Sequence, residues 1–471
     1  MTFRHLRICF TGLFLGLVFS GAAFAQTQIG DDLIGEFVND LFGSRVGLSA
    51  DGSRMVVGSI TNNEAFPDSG SGSGQVQVFE NNNGTWTQLG QDINGTGIDA
   101  RLGRGVSISG DGTTIAAGAD GFNNAAGKVR VFEFSNGSWV QLGQELLGSN
   151  NFGNEVRLSA DGSILAVGAP TGPTGSVTVY QNMGGTWVQL GDDITGDGEF
   201  FGNGLGLSAN GLRVAVGADG SINATGSLRV FDFVGANWTQ VGLTIVGEAG
   251  DRIGSSIDIS DDGSIVAVSA VGNEDMGGGS GAARVYRDTG GSWTQVGDDL
   301  NGTPLNRFGS SLALSSDGNI LSVGGFGDGF PSAIGPDGII PGEGPSARIF
   351  RNENDDWVQL GRVFGERGSF FGLQSDLSGD GLTLAVGAQS FDGNGFDRGL
   401  VRAFDLEPLF VLHGDVNLDD IVNFLDIAPF ISVLAGGGSP VEEAAADCNL
   451  DGVVSFLDIA PFIVALTSAG Q

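Results

Sequence analysis

The chain has 471 residues, enough for more than one domain, and carries 55 acidic against 21 basic residues, a formal net charge of −34. So acidic a chain repels nucleic acid and anionic lipid and attracts cations. With two histidines, His5 and His413, and two cysteines, Cys9 and Cys448, it has almost no material for histidine triads, zinc sites or disulfides.

The first 25 residues read as a secretory signal. Arg4 and Arg7 form a basic start, Ile8 to Ser20 is mostly apolar, and Ala23-Phe24-Ala25 is a small-x-small cleavage site. Cleavage removes Cys9, His5 and two arginines, leaving a net charge of −36. The apolar run is too short for a membrane span, and no later stretch is apolar enough. A secreted or extracellular protein is expected; whether it stays on the cell surface is left open.

From Gln26 to Phe404 one unit recurs seven times. Its openings fall at Phe42, Leu102, Phe152, Phe201, Ile253, Phe308 and Phe371, at spacings of 49 to 63 residues. One copy reads "FGNEVRLSADG", "ILAVGA", "GSVTVY" and "TWVQLGDDITG", four parts that alternate apolar and polar positions as half-buried strands do. Asp-Gly or Asn-Gly between the first two parts suits a tight hairpin. Four hairpin-linked strands make one antiparallel blade, and seven make an all-β seven-bladed β-propeller.

The last unit, opening at Phe371, ends after its third strand, and the segment 27–35, "TQIGDDLIG", supplies a fourth without its tryptophan. The N-terminal strand is therefore expected to complete the last blade and leave no open sheet edge. Trp86, Trp139, Trp187, Trp238, Trp293 and Trp357 mark the other six fourth strands.

On its Phe-Gly opening and "AVGAP" (Ala166 to Pro170), the unit resembles the FG-GAP repeats of integrin-α-type propellers, and also bacterial propeller repeats with an "S-x-D-G" hairpin. The resemblance implies a propeller fold and no particular activity. Calcium-binding FG-GAP blades carry an Asp-x-Asp-x-Asp-type loop where this chain has "SADGS" (Ser159 to Ser163), so no metal is expected in the blades.

Two further features of the repeats bear on function. The long connections Thr61 to Gly74 and Gly325 to Pro345 are Gly/Pro/Ser-rich surface loops, either binding loops or idle insertions. Five third strands set Arg130, Arg229, Arg284, Arg348 and Arg402 between apolar neighbours; these either pair with acids on adjacent strands or bind anionic sugars.

The pattern changes after a linker at 405–413. "GDVNLDDIVNFLDIAPFI" (Gly414 to Ile431) returns 32 residues later as "ADCNLDGVVSFLDIAPFI" (Ala446 to Ile463). Asp415, Asn417, Asp419, Ile421, Asn423 and Asp426 stand at loop positions one, three, five, seven, nine and twelve; Asp447, Asn449, Asp451, Val453, Ser455 and Asp458 repeat them. This is EF-hand-type spacing. Calcium takes six to eight hard oxygens at about 2.3–2.6 Å, alternate side chains turn inward, and position seven lends only its carbonyl, so Ile421 and Val453 fit. Two calcium ions are expected. Gly452 fills the sharp-turn position six of the second loop; Asp420 stands there in the first.

With Asp at position twelve and no entering helix, the duplicated loop-helix unit resembles type I dockerin modules over Gly414 to Leu466. The resemblance implies a small α-helical calcium-binding domain at 414–466, a cohesin-like protein partner and a setting in extracellular, often polysaccharide-degrading, assemblies. Dockerins select partners with small polar residues at positions ten and eleven. Here Phe424, Leu425, Phe456 and Leu457 stand there, so packing of the two halves and docking onto the propeller remain as readings.

No catalytic constellation is visible. The inner strands present no consistent acid, since the position reads Gly47, Ser107, Arg157, Gly206, Asp258, Ala313 and Asp376; Asp258 and Asp376 are the best candidates for the carboxylate pair that glycoside hydrolysis needs. The expected function is a secreted, monomeric, non-catalytic platform that recognises protein or polysaccharide, with the tail as its attachment module. The alternatives are a polysaccharide-acting hydrolase or lyase and a purely structural surface protein.

Overall fold

The computed structural model describes residues 26–64, 72–196, 200–220, 224–327, 334–335, 338–339, 344–391, 397–410 and 433. Residues 25–410 form one compact unit, and the described part of that unit is a seven-bladed β-propeller of antiparallel sheets with almost no helix.

Seven first strands stand innermost: Phe42–Leu48, Leu102–Ile108, Val156–Leu158, Leu205–Leu207, Ile253–Ile259, Ser311–Leu314 and Gln374–Leu377. Each pairs with a second strand, the second with a third and the third with a fourth. The fourth is continuous in blade 4 (Asn237–Val246) and blade 6 (Asp356–Phe364). In blade 3 it is broken into Trp187–Gln189 and Ile194–Thr195 by the Gly-Asp-Asp step of the repeat.

The "S-x-D-G" hairpin explains how the strands are held at the axis. In blade 2 Ser109 Oγ donates to Asp111 Oδ1 (2.6 Å) and accepts from Thr114 N (3.0 Å), while Asp111 also accepts from Thr113 N (2.9 Å). Burial pushes the Asp111 carboxyl up, but bonds from Ser109 and Thr113 outweigh it and hold the carboxyl below its ordinary value. The residue after each serine then reaches sideways. Ala50 N donates to Gly110 O (2.9 Å), Gly110 to Ala160 (2.8 Å), Ala160 to Ala209 (2.9 Å), Ala209 to Asp261 (3.0 Å), Asp261 to Ser316 (2.9 Å), Ser316 to Gly379 (2.8 Å) and Gly379 back to Ala50 (2.8 Å). This circuit satisfies one N–H and one C=O per blade that strand pairing leaves over.

The last sheet draws on both ends of the propeller sequence. Thr27–Gln28 pairs with Asp405 and Phe404, and Leu33–Ile34 with Val401 and Leu400 of the strand Leu400–Asp405. Gln28 Nε2 donates to Asp32 Oδ1 (2.9 Å), the bond that Gln88 makes to Asp92 (2.7 Å), Gln189 to Asp193 (3.0 Å) and Gln295 to Asp299 (2.8 Å) in complete copies. Asp32 further pairs with Arg402 at 2.8 Å.

Each opening aromatic is buried edge-on against a third-strand ring of its own blade, as Phe152 is against Tyr180 (6.3 Å, 86°) and Phe201 against Phe231 (6.3 Å, 89°). The two glycines of the repeat meet between blades: a Cβ on Gly118 of blade 2 would lie 2.0 Å from the carbonyl oxygen of Gly153 in blade 3. Gly153 itself sits at φ +88°. The fourth-strand tryptophans bridge the same seams, with Trp139 Nε1 donating to Leu89 O (2.8 Å) and Trp187 Nε1 to Leu142 O (3.0 Å). At the seam with the N-terminal strand the Trp86 indole N–H is buried without a partner.

Candidate functional site

The inner strands enclose a central channel with about 220 Å³ open to water-sized occupants. Two tiers of side chains line it, three and five residues after each opening residue. Arg45 and Glu155 contribute from the upper tier, with Ser256, Ser311 and Gln374. Ser107, Arg157, Asp258 and Asp376 contribute from the lower.

Asp258 and Asp376 do lie in one cavity, but their oxygens are engaged. Asp376 Oδ2 accepts from Leu48 N (2.7 Å) in the neighbouring blade, and Asp258 Oδ2 from Leu314 N (2.6 Å) and Oδ1 from Ile259 N (3.0 Å). Ser107 does the same for Leu158 N (3.0 Å). An innermost strand is a sheet edge whose N–H groups face sideways, and these side chains satisfy them across the blade seam. Burial pushes the Asp376 carboxyl up to about 7, and the Asp258 charge adds to this; the Leu48 N–H and Arg157 oppose it. Burial raises Asp258 as well.

Two arginines share the channel with these acids. Arg157 pairs with Glu155 through a very close contact and donates to Val156 O (3.1 Å). Arg45 reaches the same carboxylate from 3.8 Å and donates to Ser44 O (3.0 Å). Burial and the neighbouring Arg104 and Arg157 lower Arg45 to about 10. For Arg157, burial is outweighed by Glu155, Asp258 and Asp376, which raise it.

The third-strand arginines divide. Arg284 pairs with Asp251 (2.7 Å) and Asp299 (2.8 Å), and Arg402 with Asp32 and Glu366 (2.7 Å). Arg130 instead donates to Asn94 O (2.6 Å) and lies over the Phe132 ring, where a flat cation packs against an apolar wall. Arg229 lies over Phe231 and donates to Gln240 (2.9 Å); Arg348 lies over Phe308 and donates to Asn301 O (3.2 Å). Pairing with acids is thus seen at Arg284 and Arg402, and stacking on a ring at Arg130, Arg229 and Arg348. The stacking on aromatics had a signal, since "RVF" or "RIF" recurs in these strands.

Among the described residues no cluster of three His, Cys, Asp or Glu is placed to hold a metal, and no helix is long and apolar enough to cross a membrane. All twelve predicted calcium ligands, Asp415 to Asp426 and Asp447 to Asp458, lie outside the described residues. Their chemistry is uniform: carboxylate, amide, hydroxyl and carbonyl oxygen, the donor set a hard dication prefers. When bound, calcium would cross-link each loop, held by Asp415, Asn417, Asp419, the Ile421 carbonyl, Asn423 and Asp426, and by their counterparts in the second.

A propeller followed by a duplicated acidic-loop module is thus the class this chain represents. Residues 413–466 match the Dockerin type I domain family, and the chain ends in a dockerin domain that holds both loops. Type I dockerin domains bind calcium and attach their proteins to cohesin-containing assemblies of the extracellular, cellulosome type. The propeller is similar to Kuenenia stuttgartiensis hydrazine synthase, with 13% identity, a TM-score of 0.50, and coverage of 76% of this chain and 94% of that one. It is one of 781 solved chains that match, so the likeness shows the fold alone. No curated protein matches the chain.

Proposed function

We propose that the protein is secreted, and that its propeller is a non-catalytic recognition platform for an extracellular protein or polysaccharide. Its dockerin domain, loaded with two calcium ions, fastens that platform as a monomer to a cohesin-bearing assembly. The observation that carries this reading is the dockerin match over 413–466, whose span contains two complete sets of oxygen ligands at EF-hand spacing. The signal-like segment 1–25 supports export. The non-catalytic role is supported by Asp258 and Asp376, whose oxygens serve backbone N–H groups.

A pull-down of the full chain against an extracellular protein fraction tests it. The reading expects capture of a cohesin-bearing protein with calcium and loss of capture with EGTA. Capture indifferent to EGTA would overturn it. One observation favours a second reading, a polysaccharide-acting enzyme: Asp376, its carboxyl pushed up to about 7, lines the channel together with Asp258. Polysaccharide turnover abolished by Asp376→Asn would establish that reading instead.

A further inference from the structure

Of the channel's two arginines, Arg157 is held by Glu155 and feels the charges of Asp258 and Asp376, whereas Arg45 is paired more loosely. Arg45 and Arg157 approach it from blades 1 and 3 and share one carboxylate, Glu155, whose own side chain is 10% exposed. Arg104 stands close enough to repel Arg45, while its own acid, Asp120, is 3.8 Å away and already bonded to Arg101 (3.0 Å). Among the described residues Arg45 thus has Glu155 at 3.8 Å as its one ion-pair partner, and its buried guanidinium keeps N–H donors for an anion that enters the channel. Guanidinium groups bind carboxylates through paired N–H donors, and two of them facing one cavity favour an anionic oxygen pair.

Blades 5 to 7 line the channel in another way. Ser255, Ser256, Ser310, Ser311 and Ser375 from blades 5 to 7 line it with hydroxyls, beside Asp258 and Asp376. Each already has at least one partner and keeps capacity for another: Ser255 Oγ bonds Ser269 Oγ (3.0 Å), Ser256 Oγ accepts from Leu312 N (3.1 Å), Ser310 Oγ donates to Arg307 O, and the Ser311 and Ser375 hydroxyls bond to each other (2.8 Å). Hydroxyls and carboxyls are the partners a polyhydroxylated ring takes.

We propose that the channel is a binding site for a small hydroxylated carboxylate of the uronic acid class, with its carboxylate toward Arg45 and Arg157 and its hydroxyls toward Asp258, Asp376 and the serines. This rests on the recognition role given to the propeller and names the ligand for it. The titration of Asp376 adds a condition. Below its raised midpoint the carboxyl is neutral and tolerates a second acid nearby; above it, the added negative charge opposes the ligand. Binding should therefore weaken as pH rises through about 7.

The test is calorimetry and ligand-observed NMR on the calcium-loaded full chain with galacturonate, its neutral counterpart galactose, and a short oligogalacturonide. Galacturonate is expected to bind at least tenfold more tightly than galactose, and at least tenfold more weakly to Arg45→Gln. Its affinity should also fall severalfold from about pH 6 to about pH 8. A free-acid site binds the monomer best; a site for chain ends binds the oligomer at least as well. Equal binding of galactose, unchanged binding by both Arg45→Gln and Arg157→Gln, or no binding of either acid overturns the proposal. A thermal melt of each variant shows that a loss is not unfolding. The outcome is separable from the proposed attachment, because EGTA-sensitive capture reports the dockerin domain and galacturonate binding the channel.

Discussion

Replacing Asp376 by Asn isolates the charge buried at the seam between blades 7 and 1. The amide keeps the shape and an oxygen to accept the Leu48 N–H at 2.7 Å, and it cannot ionise against Asp258. The carboxyl stands at about 7 in the fold against an ordinary 3.8. At ~1.36 kcal/mol for each tenfold change in proton affinity, ionising it in place costs about 4 kcal/mol, less whatever channel water recovers. The sign follows from proton counting. Between the two values the folded state holds a proton that the unfolded state has released, so this group's contribution falls as pH rises from about 4 to about 7, then stays level. The Asn variant escapes that loss. A propeller of roughly 380 residues unfolds with an entropy of ~0.8 kcal/mol per kelvin, so 4 kcal/mol appears as a gain of about 5 °C at about pH 8 and almost none near pH 4. Melting curves of both proteins across that range, read by near-UV circular dichroism, measure the difference. Equal shifts at both ends, or a loss at the alkaline end, would refute the assigned cause.

Gly118→Val places a side chain where the Gly153 carbonyl oxygen stands 2.0 Å from a Cβ; we expect it to wedge blades 2 and 3 apart, with loss of soluble protein or an unfolding free energy lower by about 3 kcal/mol in urea titration. Asp32 is held below its ordinary value chiefly by its hydrogen bond from Arg402, so its contribution is present above the ordinary carboxylate range and lost as pH falls through the lowered value. The Ile29 amide, which donates to Ala403 O (2.8 Å), should therefore lose hydrogen-exchange protection in acid, and in Asp32→Ala at neutral pH. EGTA should make residues 413–466 sensitive to protease in the full chain while the propeller fragment survives; protection unchanged by EGTA would remove calcium from the folding of the dockerin domain.

Much of the fold was legible because a propeller blade is a local object. The alternation of Val177 and Val179, the hairpin at Asp161-Gly162 and the tryptophan of the fourth strand all act within about fifty residues, so a linear period carries them. Even the N-terminal strand could be placed, since Gln28 and Asp32 keep the spacing of Gln88 and Asp92. What the period did not carry lies between blades. That Asp376 serves the N–H of Leu48, 328 residues away, depends on which strands become neighbours around the axis. The fate of Arg130 depended likewise on the ring beneath it and on a carbonyl of the preceding blade. The crowding of Arg45 by Arg104 and Arg157 could not be read at all, because it arises only where blades 1, 2 and 3 converge.

The seven copies differ most where the ring leaves them free to. A serine follows the first strand in every blade because its hydroxyl caps the next strand, as Ser49 does for Arg54 N (2.9 Å) and Ser378 for Thr383 N (2.8 Å). Glycine holds the blade seams at Gly58, Gly118, Gly168, Gly217, Gly324 and Gly387 because a Cβ there would strike the carbonyl of the next blade; Ser269 takes the place in blade 5 and bonds Ser256 N (2.8 Å). The two tiers facing the axis keep glycine where the next blade crowds it, as at Gly204, whose Cβ would lie 2.4 Å from the Gly254 carbonyl oxygen, and elsewhere the copies read arginine, glutamate, serine, glutamine, alanine and aspartate. A repeat that is uniform wherever packing demands it and heterogeneous around one enclosed space directs its chemical individuality into that space. Were the channel only filler, small apolar residues would close it at less cost than a buried set of three carboxylates and two guanidinium groups.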